Sequence, residues 1–65
     1  MTTIKMNDGR TQYDVEENYG RVCDLIQSTQ GKGDKFLELT ESDYGKVWIN
    51  INNILSVRES KDYEK

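Results

Sequence analysis

Few residues in this chain are equipped to do chemistry. Cys23 is the only thiol of 65 residues and histidine is absent, so a nucleophile would have to act without the base that most often activates one. Cys23 itself falls at helical spacing with Tyr19, Val22 and Ile26, and on such an apolar face it reads as a small core side chain rather than a reactive thiol. Paired carboxylates can divide acid and base work, but Asp14, Glu16, Glu17, Glu38, Glu41 and Asp43 fall at turns, strand ends or solvent-facing positions and read as solvated surface. One cysteine and no histidine leave the usual zinc constellations without ligands. Neither Asn7-Asp8-Gly9 nor Asp43-Tyr44-Gly45 has the ligand count of a calcium loop. Gly31-Lys32-Gly33 has the residue types of a phosphate loop, yet it follows an expected helix and precedes an expected strand, the reverse of the order such loops need. A chain this short also has little volume for a pocket that shuts water out. No catalytic residue, metal or cofactor is expected, and the chain reads as a binding protein rather than an enzyme.

The elements that must position the remaining residues follow from periodicity. Ile4 and Met6 alternate with polar neighbours, Asn7-Asp8-Gly9 supplies a turn, and Thr11, Tyr13 and Val15 alternate again, which predicts a hairpin. From Asn18, a plausible N-cap, the period changes to that of a helix carrying Tyr19, Val22, Cys23, Leu25 and Ile26 on one face. Glu16 and Glu17 lie near its positive end, and Gly20 weakens its first turn. The polar, glycine-containing run Ser28 to Asp34 is expected as the loop that ends it. Phe36 to Thr40 and Lys46 to Ile51 then read as strands joined by a turn over Glu41 to Gly45, and Asn52-Asn53 as a bend or bulge before a short fifth strand, Ile54 to Val57. Hairpins around one helix predict an α+β domain over residues 1–59, an antiparallel sheet with the helix on one face. The alternative is a small bent barrel with the helix as its cap. Residues 60–65 read as a charged, frayed tail.

Strand parity singles out the candidate site. If Leu37, Leu39, Val47, Ile49 and Ile51 face the helix, Phe36, Glu38, Thr40, Trp48 and Asn50 face the other way. Phe36 and Trp48 bury roughly 150 to 250 Å² each when they find a partner, so something is expected to cover them. The first hairpin curling over and the tail folding back through Tyr63 are the internal candidates; a second protein chain is the external one. Phe36, Trp48, Asn50, Tyr44 and Glu38 are therefore the expected partner-binding residues.

A net charge of −3 and scattered basic residues argue against duplex nucleic acid as the partner. No apolar run is long enough for a bilayer and the first residues lack a secretory pattern, so the expected compartment is the cytoplasm. A domain of this length has a marginal core and cannot form an internal disulfide, which raises the expectation of association with itself, as a dimer or larger, or with a host or cognate protein. A different class of reading uses the same aromatics as stacking platforms, with Lys32, Lys35 or Lys46 meeting the phosphates of a small anionic ligand or a single-stranded nucleic acid. The six carboxylates named above, if they share one face, offer a third, an imitation of nucleic acid presented to a basic groove.

The segment from Phe36 to Val57, with Gly45 and the pairs Ile49-Asn50 and Asn53-Ile54, resembles the closing half of small uncharacterised ββαββ accessory proteins of bacteria and their phages. The resemblance covers most of the chain and implies the fold. It also implies a context, that of a phage or mobile-element regulator or inhibitor acting on a host protein. It attaches no catalytic residue to any position.

Overall fold

The computed structural model describes residues 1–60. Five antiparallel strands, β1 (Thr2–Met6), β2 (Gln12–Val15), β3 (Phe36–Glu41), β4 (Gly45–Asn50) and β5 (Ile54–Glu59), form one open sheet in the order β4-β3-β2-β1-β5. One helix, α1 (Tyr19–Gly31), crosses between β2 and β3, and a single 3₁₀ turn, Ile51–Asn53, joins β4 to β5. This is the α+β domain anticipated from the pattern of hairpins. The alternative barrel is not closed: among the described residues no ladder joins β4 to β5.

The first hairpin is set by its turn. Asp8 Oδ1 accepts the backbone N–H groups of Arg10 at 2.9 Å and Thr11 at 2.8 Å, and Oδ2 accepts the Thr11 hydroxyl at 2.5 Å. These bonds satisfy donors that the reversal would otherwise leave to water. They also hold the Asp8 carboxyl below its ordinary value, the Thr11 hydroxyl first and the two N–H groups after it.

Asn18 caps α1 as anticipated, its Oδ1 accepting from Arg21 N–H at 2.8 Å. The C-terminus lies further on than the polar run Ser28 to Asp34 suggests, because the helix continues through Gly31. Ser28, Thr29 and Gln30 stay helical because a full Schellman closure waits beyond them. Asp34 N–H donates to Thr29 O and Gly33 N–H to Gln30 O, both at 3.0 Å, with Gly33 at φ 79°, a conformation that costs a side-chain-bearing residue but not glycine. The connecting loop is thereby shortened to Lys32–Lys35.

The core is small. Ile4, Val15, Leu37, Leu39 and Ile49 from the sheet meet Val22 of α1, all buried, and Met6, Tyr13, Leu25, Ile26, Val47, Ile51, Ile54 and Val57 pack around them. Tyr19, assigned by spacing to the helix's apolar face, is largely exposed. Thr2 is buried, and its hydroxyl donates to Glu17 O at 2.7 Å.

β4 and β5 are opposite edges of the sheet, yet three residues connect them. Four strand spacings of a flat sheet span about 19 Å, whereas the four steps from Asn50 to Ile54 reach at most about 14 Å. The sheet must therefore curl until its two edges meet at one end, with α1 in the concavity touching both β3 and β5. Asn50 Oδ1 accepts from Asn52 N–H at 2.9 Å to start the turn, and Asn7 N–H donates to Asn53 O at 2.7 Å to fix it. β5 is longer than the short strand anticipated, and its irregularity falls where its register on β1 shifts, Lys5 facing Ser56 while Met6 faces Ile54. Leu55 is the extra residue of that bulge, and it is exposed.

The sheet has a narrow waist. β1 and β2 share four paired positions and β3 and β4 six, but β2 and β3 share only Val15↔Glu41. Bonds from Glu16 N–H to Thr40 O at 2.8 Å and from Ser42 N–H to Asp14 O at 2.9 Å flank that rung. Ser60, assigned by composition to the frayed tail, donates its N–H to Met1 O at 2.9 Å and its hydroxyl meets that of Thr3. The remainder of that tail, including the Tyr63 anchor, lies outside the described residues.

Candidate functional site

The outer face of the β3–β4 ribbon carries the candidate site. Leu37, Leu39 and Ile49 are buried beneath it, so alternation sends Phe36, Glu38, Trp48 and Asn50 outward. Register pairs Glu38 with Trp48 and Phe36 with Asn50, which makes Phe36 and Trp48 diagonal neighbours within reach of one another. Their rings stack at a centroid separation of 6.0 Å and an interplanar angle of 29°. Trp48 is 71% exposed and Phe36 49%. Neither the first hairpin nor any other described element covers them, which corrects the first hairpin as an internal candidate for this face; the curl of the sheet runs the other way, toward the helix.

The flanking side chains are more committed than parity alone shows. Lys46 Nζ lies 3.5 Å from Glu38 Oε2, so the two charges beside the aromatic pair offset each other locally. Asn50 Oδ1 is engaged in capping the 3₁₀ turn. Tyr44 is the most exposed aromatic among the described residues, at the tip of the turn between β3 and β4, at the opposite end of the ribbon from Phe36, and does not join the pair. Lys32 caps α1 and Lys35 follows in the loop, while Lys46 stands on the outer face of β4. The structure does not bring these three lysines into one cluster.

The six carboxylates also part company. Asp14 accepts the Thr3 hydroxyl at 2.8 Å on the outer face, Glu38 is paired with Lys46, and Glu41 shares the inward parity of Leu37 and Leu39. Glu17 turns back on the fold, both its oxygens accepting Thr40 N–H at 3.0 Å. Partial burial pushes the Glu17 carboxyl up, but the Thr40 N–H and further hydrogen bonds outweigh it and hold the group below its ordinary value. Cys23 is half-buried on α1. The neighbouring Cys23 side chain, one helical turn along, raises the Tyr19 hydroxyl above its ordinary value.

A second feature of the outer face was not singled out by spacing. Thr3, Lys5, Gln12, Ser56 and Arg58 line a shallow polar depression across β2, β1 and β5. Its signal is register: Thr3 faces Arg58 and Lys5 faces Ser56, which sets two cations diagonally on one face, and that pairing is invisible until β5 is placed against β1. Among the described residues no cluster of His, Cys, Asp and Glu could hold a metal ion, and no helix is long and apolar enough to cross a membrane.

No known family model matches the chain, and no curated protein or solved structure matches it either.

Proposed function

We propose that the chain is a small non-catalytic binding protein whose partner is another protein molecule, gripped at the Phe36–Trp48 pair. The observation that carries this reading is the pair itself: two stacked rings, 71% and 49% exposed, on a face whose other side holds the core. Large aromatics are enriched where protein partners dock and supply most of the affinity there. Neighbouring charges that already offset each other, Lys46 and Glu38, add little to the cost of covering the patch. The phage or mobile-element resemblance gives this a biological form, a regulator or inhibitor that associates with a host protein and with itself. The test is Trp48→Ala compared with the native chain for native mass by light scattering and for proteins retained by the immobilised chain. Loss of both, with an unchanged circular dichroism spectrum, is the expected result; retention of both removes the reading.

One observation favours a second reading. Lys5 and Arg58 stand together in the polar depression of the same outer side without a carboxylate in salt-bridge range among the described residues, a place for the phosphate of a small anionic ligand or of single-stranded nucleic acid whose bases stack on the aromatic pair. Binding of a labelled oligothymidylate at low salt, weakened by Lys5→Gln and Arg58→Gln, would support it. Low salt is the most permissive condition, so no binding there disposes of it.

A further inference from the structure

The two edges of this sheet are defended very differently. β5 carries a bulge at Leu55 and the adjacent charges Arg58 and Glu59, devices that discourage another strand from pairing. β4 has none of them. Its register on β3 is regular over all six positions, it has no proline, and its single charge, Lys46, is already offset by Glu38. β4 and β5 run in the same direction and are joined end to end through the 3₁₀ turn, so β5 continues beyond β4 rather than lying along its free side. Among the described residues nothing pairs with the outer edge of β4, and exposed Trp48 borders it.

Resting on the reading of Phe36–Trp48 as a protein contact, we propose that the occupant is a second copy of this chain, paired antiparallel β4 to β4 about a two-fold axis through Trp48. The symmetry is restrictive. A two-fold perpendicular to the sheet keeps both helices on one side, so facing residues must share a face and the axis must pass through one residue and its own copy. An axis at Val47 would set Gly45, at φ 88°, against Ile49 and Lys46 against Trp48. An axis at Trp48 sets Trp48 against Trp48, Lys46 against Asn50 and Val47 against Ile49, so aromatic meets aromatic, cation meets amide and aliphatic meets aliphatic. No like charges meet across the seam, and each Phe36 extends the row of rings. Main-chain hydrogen bonds supply the rest, as in other strand additions. Two aromatics of roughly 150 to 250 Å² each remain below the ~800 Å² per partner of a standard stable interface, so the dimer is reversible rather than obligate.

Sedimentation of the full chain from about 10 μM to about 1 mM, the range of weak and transient interfaces, is expected to show the mass rising from 7.6 kDa toward twice that value. Trp48 emission should move to shorter wavelength over the same range. Trp48→Lys, at a position exposed enough to leave the fold intact by circular dichroism, is expected to weaken the dimer at least about thirtyfold, as loss of a central hot spot does. In a Cys23→Ser background, oxidation should link a Lys46→Cys chain to an Asn50→Cys chain, and neither variant to itself. A monomer at the highest concentration overturns the proposal. So does a dimer that Trp48→Lys leaves intact, or one in which either single-cysteine variant links to itself. A monomer whose Trp48 still governs binding of a separately identified protein removes this inference and leaves the reading of the site standing. A chain in which Trp48→Lys alters neither association nor protein binding removes both.

Discussion

Both carboxylate oxygens of Glu17 lie 3.0 Å from the backbone nitrogen of Thr40. After Val15 the chain leaves the sheet, so β2 offers no further carbonyl to β3, and the Glu17 side chain takes the place of one. Glu17→Ala leaves the half-buried Thr40 N–H without its acceptor and is expected to cost about 1–3 kcal/mol, while Glu17→Gln keeps an acceptor and costs less. Chemical denaturation measures both, and faster hydrogen exchange at the Thr40 amide localises the effect.

The same bond has a pH signature. The folded value of the Glu17 carboxyl lies below its ordinary 4.5, so the folded state binds that proton less readily than the unfolded chain does. Its contribution is complete above about 4.5 and is lost as pH falls through the lower folded value. Asp8, also held below its ordinary value, acts in the same direction. The native chain should lose stability on acidification through this range, and Glu17→Gln should flatten the profile, as followed by thermal melts.

Two glycines two positions apart should respond with opposite sign. Gly31 is the last residue of α1 with open space where a Cβ would sit, so Gly31→Ala is expected to stabilise by up to about 1 kcal/mol. Gly33 also has open space but stands at φ 79°, and Gly33→Ala is expected to destabilise by about 1–2 kcal/mol from backbone conformation alone. Paired melts of the two variants check this.

Leu39 and Trp48 lie on neighbouring strands and opposite faces of one ribbon. Leu39 is 1% exposed, so Leu39→Ala should cost about 2–5 kcal/mol. Trp48→Ser should change monomer stability by no more than about 0.5 kcal/mol, measured at low concentration where the chain is alone. A large loss at Trp48 under those conditions would mean that the ring belongs to the subunit's own packing.

How much of this was legible follows from where the information sits. The alternation of Ile4, Met6, Tyr13, Val15, Leu37, Leu39, Val47 and Ile49 is local, and it carried the strands, their inward faces and the outward parity of Phe36 and Trp48. Asn18 carried the helix start for the same reason. The end of α1 lies beyond the expected place because Ser28 and Thr29 are weak helix formers in a polar, glycine-containing run, whereas the closure by Gly33 and Asp34 depends on bonds formed only once the helix is there. The Glu17 to Thr40 contact, the bulge at Leu55 and the depression between Lys5 and Arg58 depend on register between strands distant in sequence. Residue spacing along one strand says nothing about its neighbour's offset.

The single rung Val15↔Glu41 gives the molecule a joint. On one side stands a three-stranded block, β2-β1-β5; on the other, a two-stranded arm. Few main-chain bonds cross that boundary, but Leu37, Leu39 and Ile49 of the arm share one core with Ile4, Val15 and Val22, so side-chain packing more than strand pairing holds the arm to the block. Acid, by protonating the Glu17 carboxylate that accepts Thr40 N–H beside this boundary, weakens one of the few polar links across it and leaves the arm that carries the aromatic rings leaning on the shared core.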